Sequence, residues 1–200
     1  MKHFKYFLKQ SIFPIVYLIL MSISALGITA IDGLVPLKIV LAILNLLFYW
    51  LVIGVVSFRD GQEAYSALLT NDVQRRRIIE TGDDIPLNTV KEYRAWKGLM
   101  AGLFTCLPLI IIMIIHAVLY FTTPAGAAAG TIAGLLYAVT NVFIQLAYGT
   151  TTLPASAFFF LLLTIPVFMF MTFVAYNLGA RKVMARQRIV ERKRKQIYGE

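Results

Sequence analysis

Between Gly98 and Ala180 the chain has no Asp, Glu, Lys or Arg, a run of 83 residues. A soluble domain needs charge on its surface, so a segment of this length without any must be solvated by lipid. The protein is therefore read as an integral membrane protein. Two shorter stretches, Gln10 to Ile31 and Ile39 to Phe58, lack charge as well. Each is long enough for a helix to cross a hydrocarbon core of roughly 30 Å. Cysteine is almost absent: Cys106 stands alone inside an apolar run, which excludes an intramolecular disulfide framework.

Other absences narrow the chemistry. The apolar runs contain no carboxylate, which argues against a proton-coupled pump built on a buried acid. His116 is the one histidine in the long run, and on a helix it stands about 15 Å of rise from Cys106, too far to share an ion. A lone membrane histidine is expected to hydrogen-bond between helices. No metalloprotease, serine-hydrolase, phosphate-loop or dinucleotide motif is present. Hence no catalytic residue, cofactor or metal site is expected, and the chain is not expected to be an enzyme.

The charge that does occur is gathered into islands. Lys/Arg residues number three at the N-terminal tip, one between Asp32 and Lys38, seven in 59–97 and eight after Ala180. The net charge of +9 is thus no nucleic-acid signature, and no nucleic acid is expected as a partner. Positive residues concentrate on the cytoplasmic side of membrane proteins, so both termini and the middle loop read as cytoplasmic. The basic tip, the apolar run and Ala25-Leu26-Gly27 also resemble a secretory signal, but the run is long and a second follows at once. An uncleaved first span is expected.

Three helices fit the 83-residue run: Gly98 to Phe121, Gly126 to Tyr148 and Ala155 to Gly179. Two cytoplasmic flanks require an even number of crossings, so one of the three does not cross. The middle segment, rich in Gly and Ala and carrying Thr131, Thr140, Asn141 and Gln145, is the weakest span. The expected fold is an all-α integral membrane protein with four transmembrane helices and one amphipathic or re-entrant helix on the outer side. Its parts are 1–58 (tip and helices one and two), 59–97 (a charged helical cytoplasmic loop), 98–180 (helices three and four with the outer helix 126–148) and 181–200 (a basic cytoplasmic tail). Localisation follows as a multi-pass protein of the cell membrane. The general pattern is like that of small multi-pass proteins of bacteria, in type and not in residues.

Within 126–148, Gly126, Gly130 and Gly134 recur every four residues, and Asn141, Gln145 and Tyr148 continue the stripe. Such small residues let membrane helices approach closely. The stripe reads as a packing seam, or alternatively as the wall of a pathway to which Asn45 and His116 also contribute. In the middle loop, Asn71 with Gln74 and Thr89 with Glu92 resemble capping boxes, the second starting a helix that runs into the third span. Gly82 is placed to end the first of these helices. Tyr93 and Trp96 would lie at headgroup level, with Lys91, Arg94 and Lys97 facing phosphates.

The tail is expected to extend the last span as a basic helix lying along the inner membrane surface. Arg181, Lys182, Arg186, Arg188, Arg192, Lys193, Arg194 and Lys195 are its candidate contacts with anionic lipid. These features suggest a non-catalytic subunit or scaffold of a membrane complex, meeting a protein partner through 59–97 or the tail. The alternative is a permease or channel component, alone as an oligomer or beside an ATPase, with a pathway lined by the 126–148 helix.

Overall fold

In a computed structural model, residues 2–31, 35–82, 85–122, 127–150 and 153–198 are described; all regular structure among them is helical. Among the described residues there are seven α-helices: α1 (Lys2–Thr29), α2 (Val35–Thr81), α3 (Lys97–Thr105), α4 (Leu107–Thr122), α5 (Ala127–Leu136), α6 (Ala138–Tyr148) and α7 (Thr164–Tyr198). A 3₁₀ segment, Ala155–Leu163, leads into α7. Three helices are long and apolar enough to cross a membrane, and up to five spans result if each of two bent pairs counts as one.

The bundle has a charged end and an opposite end. At the charged end Gln10 Nε2 donates to Asp60 Oδ2 at 2.6 Å, Tyr93 Oη donates to Asn177 Oδ1 at 2.5 Å, and Lys97 Nζ lies 5.5 Å from the Tyr6 ring centre. The N-terminal tip, the 59–97 segment and α7 at Asn177 therefore meet there. At the other end Lys38 Nζ donates to the Thr29 carbonyl at 3.3 Å, and Tyr120 meets Phe159 edge-on at 5.5 Å.

Two proline effects shape the 98–180 run. Pro108 has no N–H for the Phe104 carbonyl and its ring crowds that turn, so the helix breaks at Cys106 and α3 meets α4 at a 52° bend. Pro154 is extended (φ −63°, ψ 148°) and starts the 3₁₀ segment, whose nine residues are long for that geometry.

The expected single helix over 126–148 is not formed. The chain breaks at Tyr137 and turns by 117° between α5 and α6. The turn lies deep in the bundle, where the Leu136 carbonyl accepts Ser22 Oγ at 2.7 Å and Tyr137 Oη donates to the Thr105 carbonyl at 3.4 Å. α6 ends where Gln145 and Gly149 line a cavity with Thr29 and Lys38.

α2 has 47 residues, about 70 Å of helix, far more than a membrane needs. It does not stop and restart at Asn71: the capping-box residues lie inside it. It ends at Thr81, where Gly82 takes φ +74° and its N–H reaches the Ile78 carbonyl at 2.9 Å. α7 is likewise unbroken from Thr164 to Tyr198. The basic tail therefore continues the axis of the last helix past Ala180 without a break.

Glycine decides how these long helices meet. A β-carbon on Gly61 would come within 2.8 Å of the Tyr176 carbonyl carbon, and one on Gly179 within 2.8 Å of the Phe58 carbonyl carbon. The two contacts are reciprocal, Phe58-x-x-Gly61 facing Tyr176-x-x-Gly179 across a local two-fold. On the other flank of α7, a β-carbon on Gly102 would lie 2.7 Å from Met169 Cα, and Thr172 Oγ1 donates to the Gly98 carbonyl at 2.8 Å. α7 is thus gripped by α2 and α3 backbone to backbone, as small residues permit between membrane helices.

Candidate functional site

The residues expected to line a seam or pathway are mostly occupied in packing. Asn45 is buried on α2 and donates from Nδ2 to the Met21 carbonyl of α1 at 3.1 Å. His116 is fully buried on α4, with Nε2 3.0 Å from the Ala155 carbonyl, which accepts its proton. Phe158 and Phe159 close over its ring. Gly130 faces that same group: a β-carbon there would lie 2.8 Å from His116 Cε1 and 2.5 Å from Phe158 Cδ2. Gly134 faces Phe158 and Asn141. Gly126 lies outside the described residues.

The stripe is therefore divided, its glycines on α5 and its amides on α6, and the two parts meet across the bend. Asn141 is 6% exposed and its Oδ1 has no hydrogen-bond partner among the described residues. With Gln145, Thr131, Leu26 and Phe158 it lines a cavity of about 340 Å³.

A second polar assembly, at the charged end, was not anticipated. The segment 85–96 is not the start of a helix; α3 begins only at Lys97. Glu92 is 6% exposed, and its Oε1 accepts Asn71 Nδ2 at 2.7 Å and Arg75 Nη2 at 2.5 Å. Arg75 also pairs with Asp72 at 2.9 Å. Asn71 and Glu92, one residue from each supposed capping box, thus form a bridge between α2 and the 85–96 segment instead of capping a helix. Lys97, expected to face lipid phosphate, is instead 1% exposed and donates to the Val90 and Glu92 carbonyls. Burial raises the Tyr93 hydroxyl above the ordinary phenol range, against the pull of Arg181. This assembly ties α2, 85–96 and α7 into one unit.

Eight basic residues of the tail stand on the projecting part of α7. Lys182 Nζ lies 5.3 Å from the centre of the Phe58 ring on α2, next to the glycine crossing. Among the described residues no group of three His, Cys, Asp or Glu side chains is placed to hold a metal ion. No protein-family model, no curated protein and no solved structure matches the chain.

Proposed function

We propose that the protein is a non-catalytic subunit of a membrane complex, and that it binds its partner through the helices that project from the charged end. The observation that carries this reading is apolar exposure outside the apolar runs. Ile79, on the projecting part of α2, is 83% exposed, and Ile189 and Val190 on α7 are 54% and 50% exposed. Beyond the membrane such residues face water, and in this reading they are the apolar contacts offered to a partner. The glycine crossing holds the two projections in a fixed relation, which suits a docking platform.

In this reading α1, α2, the bent α3–α4 pair and α7 make four crossings, and α5–α6 enters and leaves on the outer side. Both termini and 59–97 are cytoplasmic, in a bacterial cell membrane. Arg181, Lys182, Arg186 and Arg188 then lie close to anionic headgroups, whereas Arg192 to Lys195 stand about 18 Å or more past Ala180 and are left to a protein partner.

Purification in a mild detergent after crosslinking tests the proposal. A defined partner is expected with the native chain and its loss with Ile79→Asp and Ile189→Asp, both surface changes that leave the fold intact. A chain that purifies alone under all conditions contradicts it. The permease alternative draws on the unpartnered Asn141 oxygen and the cavity beside it; transport that survives in liposomes of the pure chain and fails in Asn141→Leu would favour it.

A further inference from the structure

One cavity at the charged end belongs to neither the packing seam nor the projecting helices. It has a volume of about 310 Å³, and its polar lining is Tyr6, Lys9 and Gln10 of α1, Asp60 and Glu63 of α2, and Lys91. That is far more than the roughly 10–15 Å³ a single water requires. Two acids and two bases face the space, yet among the described residues they form no ion pair with one another or with any other group. The Asp60 carboxylate takes only the Gln10 amide, at 2.6 Å. Charges of both signs held apart around one cavity are arranged for a ligand that itself carries both.

The position selects the kind of ligand. Gln10 begins one uncharged run and Asp60 stands two residues past the end of the next, so the cavity sits where these helices leave lipid. One turn deeper on α1, at helical spacing from Lys9 and Gln10, Phe13 is 51% exposed and offers an apolar surface on that face. We infer that this cavity holds the headgroup of a zwitterionic aminophospholipid, its primary ammonium on Asp60 and Glu63 and its phosphate on Lys9 and Lys91. The inference does not depend on any protein partner.

A primary ammonium offers three donors to the two carboxylates. A quaternary choline offers none and needs an open aromatic face. Tyr6 is the one aromatic lining residue, and the Lys97 ammonium already stands 5.5 Å from its ring centre. An anionic headgroup would engage the lysines and leave both acids without a counter-charge.

The test uses the full chain in mild detergent, with bound lipid read by native mass spectrometry. The probes are dioleoyl phosphatidylethanolamine, its mono-, di- and trimethylated forms, and phosphatidylglycerol. Retention is expected to fall with each methyl group. Asp60→Asn is expected to weaken phosphatidylethanolamine binding about tenfold, the loss of one charge-assisted contact, and not to weaken phosphatidylglycerol binding. Glu63→Gln and Lys91→Gln, at the rim, should each weaken it too, so the test survives if Asp60→Asn does not fold; Arg59→Gln, beside the cavity, should not. Equal retention of the trimethylated lipid, or no response to any of the three variants, overturns the inference. Displacement by soluble glycerophosphoethanolamine as readily as by the lipid overturns the lipid assignment in favour of a soluble ligand of the same chemistry.

Discussion

Replacing Gly61 by alanine adds one methyl group at the place where α2 and α7 touch backbone to backbone. That methyl would lie 2.8 Å from the Tyr176 carbonyl carbon and 3.1 Å from its Cα, and backbone cannot rotate away as a side chain can. The helices must separate, which loosens the reciprocal contact at Gly179 as well. Overpacking of this kind costs about 1 to 3 kcal/mol. Against that stands the gain from removing a helical glycine, roughly 0.5–1 kcal/mol. Gly54, two turns earlier on the same helix, isolates the second effect, because an added β-carbon there meets nothing within 4 Å. Gly54→Ala is therefore expected to be neutral or stabilising, and Gly61→Ala destabilising by up to about 2.5 kcal/mol net. Gly179→Ala should match Gly61→Ala, and the double variant should lose less than the sum, since one separation relieves both clashes. Unfolding titrations from mild detergent into dodecyl sulfate measure all four. If Gly61→Ala is tolerated as well as Gly54→Ala, the close crossing does not exist and the fixed platform built on it fails.

Three other outcomes follow from the buried polar groups and the tail. Glu92→Leu leaves Asn71 and Arg75 without their shared acceptor and should cost about 1–3 kcal/mol, seen as protease cleavage within 85–96 before global unfolding. Asn45→Leu removes one interhelical hydrogen bond and should cost only about 0.6 kcal/mol by the same titration, with no new site for cleavage. Replacing Arg181 and Lys182 by glutamine should lower co-purified anionic lipid, at about 1 kcal/mol per charge near the surface, and replacing Lys193 and Arg194 should not.

The membrane class and the helical content are legible from the long uncharged runs alone, because lipid permits few alternatives to helix for a single apolar segment. The weakness of 126–148 as a straight span is legible from its Gly, Thr, Asn and Gln, but the bend at Tyr137 is not, since neither proline nor glycine marks it. Local motifs misled where their partners were distant. Asn71 and Glu92 match capping patterns by spacing, and only the fold brings them together across 21 residues. Lys97 reads as an interface anchor until the segment 85–96 folds back to supply two carbonyls. The decisive glycines, Gly61 and Gly179, stand singly near the ends of uncharged runs, whereas Gly126, Gly130 and Gly134 announce themselves by repetition. The cavity at Asp60 draws its lining from three separate segments, which no linear pattern brings together.

Cysteine accessibility tests the arrangement most directly. In a Cys106→Ser background, single cysteines replace Lys2, Thr122, Thr150 and Gln196, and intact cells are treated with an impermeant thiol reagent. Thr122 and Thr150 are exposed and flank α5–α6. Labelling at 122 and 150, with 2 and 196 protected until the cells are permeabilised, is the expected result. Labelling at 122 and 196 together, with 150 protected, would mean that α5–α6 crosses the membrane, and would contradict the account.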